Sequence, residues 1–143
     1  MNIRTQSLGF VVGSLARSVS RHLAQRTAPH GVTPGQFPVL RVLRDVKVST
    51  QMELARLVGV EQPSMAATLR RMERDGLIAR IADEQDARRQ LVSLTDRGRA
   101  MLALMTESAM AVYRQACEGL SEDEVAEFLR MGVRMLENLD EER

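Results

Sequence analysis

Two groups of arginines carry the chemistry that this chain offers. The first lies in Gln62–Arg74, QPSMAATLRRMER, where Arg70, Arg71 and Arg74 follow Ser64 and Thr68. The second lies in Asp83–Gly98, DEQDARRQLVSLTDRG, where acids and arginines precede the alternating run Leu91-Val92-Ser93-Leu94. A guanidinium is a planar, permanently charged fork that matches phosphate oxygens and guanine edges. Serine and threonine hydroxyls bond either. The chain has 20 basic residues, and Lys47 is the only lysine among them. Both segments therefore suit a polyanion. Catalytic patterns are missing. His22 and His30 have no further donor at metal-ligand spacing, Cys117 has no evident base partner, and no glycine-rich phosphate loop occurs. Neither an enzyme, a metal nor a cofactor is expected.

The composition narrows the class further. The 143 residues suit one compact domain, and 44% of them are hydrophobic. Aromatics are only 3%, so the core must be aliphatic and rich in methionine, and recognition of RNA by base stacking is disfavoured. A single cysteine excludes an internal disulfide and fits a reducing, cytoplasmic setting; a buried helix position is the reading for Cys117. No apolar run approaches the length of a membrane span, and no signal-peptide pattern opens the chain. The net charge of +1 hides a polarity: residues 1–60 carry +6 and residues 118–143 carry −6. The acidic end should face away from any polyanion.

The elements that must hold the arginines follow from apolar spacing. Leu8, Val12, Leu15, Val19 and Leu23 define a first helix over about residues 5–27. Thr33-Pro34 opens a second helix, with Pro34 at its first position and Phe37, Val39, Leu40 and Leu43 inward. Thr50 and Glu53 have capping-box spacing before a short third helix that stops at Gly59. Gln62-Pro63-Ser64 starts a fourth, striped by Met65, Leu69 and Met72 and ended by Gly76. Residues 77–81 and 91–94 read as two strands joined by a long polar loop. Thr95 caps a long fifth helix that runs to about Cys117. Ser121 and Glu124 then cap a sixth, with Val125, Phe128, Leu129, Gly132, Leu136 and Leu139 on one side. Gly132 within that stripe suggests a close approach of another helix.

The third and fourth helices, joined by a short turn containing Gly59, form a helix-turn-helix, and the strand pair after it is a wing. In such units the second helix lies in the major groove with its N-terminal residues at the base edges. Once Met65, Leu69 and Met72 point inward, Ser64, Ala67, Thr68, Arg70, Arg71 and Arg74 point out; Gln62 at the helix start joins them as a DNA-binding candidate. The wing tip offers Arg88 and Arg89, and an arginine there suits the narrow minor groove. Asp86 is spaced to hold the Arg88 side chain at the right angle, which explains acids at the tip of a DNA-directed loop. The fold class expected is mainly α with a small β-hairpin wing.

These residues resemble the MarR/SlyA winged-helix transcription regulators. The resemblance rests on Gln36-Phe37-x-Val39-Leu40-x-x-Leu43, Glu61-Gln62-Pro63-Ser64 with Thr68-Leu69 and Glu73, Gly76-Leu77-Ile78, Asp83-x-x-Asp86-x-Arg88, and Leu91-Val92-x-Leu94-Thr95-x-x-Gly98. The last two blocks are the most specific. It implies one MarR-like domain over 1–143, with a DNA-binding lobe at 33–97 flanked by dimerisation helices at 1–32 and 98–143. It also implies a homodimer on a pseudo-palindromic operator, with repression as the default. Ala67 and Ala87 depart from the family's usual arginines, which puts the operator sequence in doubt. The resemblance further suggests a small aromatic carboxylate as effector, with Arg17, Arg21, His22, Phe37 and Tyr113 as candidate contacts. A winged-helix adaptor that binds protein instead of DNA is the alternative; it would have no use for an arginine-tipped wing.

Overall fold

The protein, seen in a computed structural model, is described over residues 7–140. Residues 5 and 6 of the first expected helix, and the ends of the expected domain at 1–6 and 141–143, lie outside that range. Helix α1 spans Leu8–Thr27. A 3-10 turn at Ala28–His30 and Gly31 at φ 72° end it. The second helix differs from expectation. Pro34–Gln36 forms a separate 3-10 turn, and α2 begins only at Phe37 and runs to Val46. Pro38 then sits in the first turn of α2, where its absent N–H costs nothing. Gln36 holds the preceding turn, its Oε1 accepting the Thr33 N–H at 3.2 Å.

A short strand, β1 (Val48–Ser49), was not legible in the sequence. Helix α3 covers Gln51–Val58 and α4 covers Gln62–Arg74. Strands β2 (Ile78–Ala82) and β3 (Gln90–Leu94) follow, then α5 (Asp96–Ala116) and α6 (Glu122–Asp140). The expected two-stranded wing is therefore part of a three-stranded antiparallel sheet, ordered β1-β3-β2. Register pairs Ile78 with Leu94, Arg80 with Val92 and Ala82 with Gln90, while Val48 faces Ser93. Two residues cannot display a period, so β1 escaped detection; its pairing anchors the wing base to the end of α2.

Two caps are reciprocal and a third is one-sided. The Glu53 N–H donates to Thr50 Oγ1, and the Thr50 N–H donates to Glu53 Oε2, both at 3.2 Å. Ser121 and Glu124 repeat the arrangement at α6. Thr95 Oγ1 accepts the Gly98 N–H at 3.0 Å and donates to the Gly76 carbonyl at 2.5 Å, so one hydroxyl ties the start of α5 to the end of α4.

The core is aliphatic and rich in methionine, as composition required. Leu40, Leu43, Leu54, Met65, Leu69, Met72, Leu77, Val92 and Met105 are fully buried, and Phe37 is the one aromatic of the core among the described residues. Burying a side chain of this size contributes roughly 1.5–3 kcal/mol, so this cluster is what holds α2, α3, α4 and the sheet together. The stripe of α4 is buried as the spacing required. The outer helices behave otherwise. Helix α1 packs along α5, yet its Leu8 and Val12 are exposed, and α6 has no buried residue at all. Nothing lies within 4 Å of a Cβ built on Gly132, so the close helix approach expected there is not made within the chain. Cys117 is not inside a helix: it is the C-cap residue of α5 and is half-buried.

Candidate nucleic-acid interface

The turn between α3 and α4 is set by Gly59 at φ 76°, a left-handed conformation that suits glycine, whose N–H closes on the Ala55 carbonyl. Glu61 then caps α4 with extended backbone and Pro63 occupies its first turn. The Glu61 side chain makes no capping bond, so the N–H groups at the α4 N-terminus are left to other acceptors. With Met65, Leu69 and Met72 in the core, Gln62, Ser64, Arg70, Arg71 and Arg74 are exposed and Ala67 and Thr68 are half-buried. This is the face the spacing predicted.

The wing loop is shaped by its acids through the main chain. Asp83 Oδ1 accepts the Gln85 N–H at 2.9 Å, and Asp86 Oδ1 accepts the Arg88 N–H at 3.0 Å. Main-chain bonds from Asp83 N–H to Arg89 O and from Arg89 N–H to Asp86 O, each 2.9 Å, close the loop. The expectation that the Asp86 carboxylate grips the Arg88 guanidinium is therefore corrected. A short Asp side chain reaches the backbone two residues on more readily than a long flexible side chain, and forms an Asx-type turn. Among the described residues Arg88 has no ion-pair partner, whereas Arg89 Nε lies 3.9 Å from Asp83 Oδ2. Arg88 is thus presented by the loop backbone and exposed at the tip.

Two concavities lie between these parts. One, of about 830 Å³, is lined by Gln51, Ala66, Arg70, Glu73, Arg74, Arg80 and Gln90. The other, of about 550 Å³, joins the start of α3 to the wing and includes Gln62, Arg80, Arg88 and Arg89. They bring Gln62, Arg70, Arg88 and Arg89 to one side of the molecule. Arg80 borders both and was missed by sequence reading. Its Nε donates to Glu73 Oε2 at 2.6 Å. A signal existed: Arg80 shares a strand face with the buried Ile78, and an inward arginine needs a carboxylate. Glu53, at the start of α3, is held below the usual carboxylate range. Its bond from the Thr50 N–H is the main cause, the Ser49 hydroxyl helps, and the charge of Arg89 adds to both.

The effector candidates differ in their surroundings. His22 Nδ1 lies 2.7 Å from the Ser18 carbonyl oxygen and borders a cleft of about 270 Å³ between α1 and α5, with Leu15, Val112 and Gln115. Arg17 donates to Ser14 Oγ and Arg21 to Ser18 Oγ along the outer surface of α1. Tyr113 is exposed on α5. Phe37 is in the core, with the Arg41 guanidinium 5.8 Å from its ring centroid. Among the described residues no group of three potential metal ligands assembles, and no helix is long and apolar enough to cross a membrane.

A turn-joined helix pair followed by an antiparallel hairpin, with arginines on the second helix and at the hairpin tip, defines a winged helix-turn-helix protein. Comparison with known proteins makes the class specific. A model described as the MarR family matches residues 30–89. A probable transcriptional regulator from Pseudomonas aeruginosa is 30% identical, with a TM-score of 0.83 over 90% of this chain and 96% of that one. The transcriptional repressor CouR, solved bound to a 23-mer DNA duplex, is 28% identical, with a TM-score of 0.85 over 92% and 94%. The reduced form of MarR from E. coli is 25% identical, with a TM-score of 0.80 over 91% and 96%. The chain belongs to the MarR family, a family of transcriptional regulators and not of enzymes.

Proposed function

We propose that this chain is a sequence-specific, double-stranded-DNA-binding repressor that acts as a homodimer and is released by a small ligand. The observation that carries the reading is the placement of Gln62 and Arg70 of α4 and Arg88 and Arg89 of the wing around two concavities that share Gln51, Arg80 and Gln90, with Ser64 and Arg71 exposed on the same helix. Helix α4 would occupy the major groove and the wing the adjacent minor groove, with residues 33–97 as the reading lobe. CouR, a repressor solved on a DNA duplex, shares this fold over most of both chains, which supports DNA as the partner and repression as the outcome.

The homodimer reading rests on uncovered apolar surface. Phe128, Leu136 and Leu139 are 51%, 63% and 70% exposed on α6, and Leu8 and Val12 are exposed on α1. A symmetric mate is the simplest way to cover such stripes, and two lobes would then read half-sites about one helical turn apart. An aromatic carboxylate is the ligand class we assign. It would meet Arg17, Arg21 or Tyr113 on the outer faces of α1 and α5 and act by favouring one spacing of the lobes.

A mobility shift on the DNA upstream of the protein's own gene tests the reading. Retarded complexes whose affinity falls steeply as salt rises are expected, because phosphate contacts release counterions. Binding that ignores salt, or no binding to any duplex selected from a random pool, would refute it.

A further inference from the structure

We infer that Arg80, braced by Glu73, is a phosphate clamp at the boundary between the recognition helix and the wing. The inference rests on the DNA-binding reading above. Arg80 lies on β2 and Glu73 on α4, so their bond links the two parts that would sit in neighbouring grooves. If α4 fills a major groove and the wing the next minor groove, the DNA strand between those grooves must cross the furrow that separates them. Arg80 borders both concavities of that furrow.

The geometry suits a clamp. The bond to Glu73 uses only Nε, at 2.6 Å, and among the described residues neither Nη atom has a hydrogen-bond partner. The guanidinium therefore keeps donors for a phosphodiester. The Arg80 side chain is only 20% exposed, so its stem is held while its head borders the furrow. Glu73 is 49% exposed and fixes the fork from the side. An arginine held in place loses less rotamer entropy on binding than a free one. This is the carboxylate-oriented arginine that the sequence suggested at the wing tip, found instead at the wing base. Phosphate contact at this point fixes register without reading a base. Both residues are positioning groups for α4 and the wing.

The test compares the wild type with Arg80→Gln and Glu73→Gln on two duplexes: one selected from a random pool with the wild type, and one of unrelated sequence. Arg80→Gln is expected to weaken binding about tenfold on both duplexes alike. The slope of log K against log salt should fall by about 0.9 per protomer in contact, the value for one phosphate. Glu73→Gln removes the bracing carboxylate but leaves the Arg80 guanidinium, so the slope should stay and affinity should fall severalfold. Thermal unfolding of each variant in the absence of DNA separates a folding defect from a lost contact, since only the contact changes the salt slope. Arg80→Lys is expected to restore the slope but not the full affinity; it serves if Arg80→Gln fails to fold. An unchanged slope in Arg80→Gln, or, if that variant does not fold, an Arg80→Lys protein that binds both duplexes with the full wild-type affinity, would overturn the clamp. A Glu73→Gln protein that binds both duplexes more tightly with a steeper slope would overturn the brace, because Glu73 would then be restraining Arg80 from DNA. A wild type that enriches no duplex from the random pool would refute the DNA-binding reading itself, which is a different failure.

Discussion

Gly98 is the third residue of α5, and adding one methyl group there tests how the wing joins the helical body. A Cβ at this position would stand 2.1 Å from the Leu77 carbonyl oxygen, 3.1 Å from its carbon and 3.2 Å from Leu94 Cδ2. The obstacle is backbone, so no rotamer change relieves it. The Leu77 oxygen must retreat by about 1 Å to reach ordinary contact, yet it accepts the Thr95 N–H at 3.1 Å. Overpacking of this kind costs about 1–3 kcal/mol, and loss of that hydrogen bond adds about 1 kcal/mol. Alanine's higher helix propensity offsets at most about 1 kcal/mol. Gly98→Ala should therefore destabilise the protein by about 1–3 kcal/mol and lower the thermal midpoint by roughly 3–10 °C. The measurement is unfolding followed by circular dichroism at fixed protein concentration, because association would raise the midpoint of both proteins. A variant as stable as the wild type would show that the joint between β2 and α5 yields freely, and would refute the claim that this contact sets the wing's position.

Three further outcomes follow from the same geometry. Arg88→Ala should weaken operator binding at least about tenfold in titrations, through loss of a minor-groove contact at each wing, with no change in unfolding midpoint because Arg88 has no ion-pair partner among the described residues. Glu53 has a depressed pKa, so its contribution to stability is complete above the ordinary carboxylate value and is lost as pH falls through the lowered value; urea midpoints at about pH 5.5 and about pH 3.5 should differ less in Glu53→Gln than in the wild type. Leu136→Glu, on the uncovered stripe of α6, should convert a dimer to a monomer in light scattering and leave the lobe folded.

The parts of this molecule that were legible in the sequence are those with a repeat to read. Met65, Leu69 and Met72 mark the buried side of α4, and their spacing alone places Ser64, Arg70 and Arg71 outward. Thr50 with Glu53 and Ser121 with Glu124 mark helix starts because the capping box is a local bond. What escaped depends on contacts between segments. Val48-Ser49 becomes a strand only because β3 lies beside it. Pro34–Gln36 and α2 look continuous in sequence because a 3-10 turn and an α-helix share turn-scale spacing. Arg80 and Glu73 are seven residues apart, and only the reversal at Gly76, with its φ of 74°, brings them together. Asp86 was placed correctly near Arg88 but bonds its main chain, a choice between two acceptor geometries that spacing cannot separate.

The wing loop keeps its form through Asp83 and Asp86, whose oxygens hold amide hydrogens, while Arg88 contributes only its own N–H to that frame. Any residue except proline has that N–H to give. Shape and message are therefore written in separate letters: the side chain at 88 is replaceable without rebuilding the loop that displays it. A lineage can then retune its target preference by single substitutions at the tip, whereas replacing either aspartate would cost the display itself.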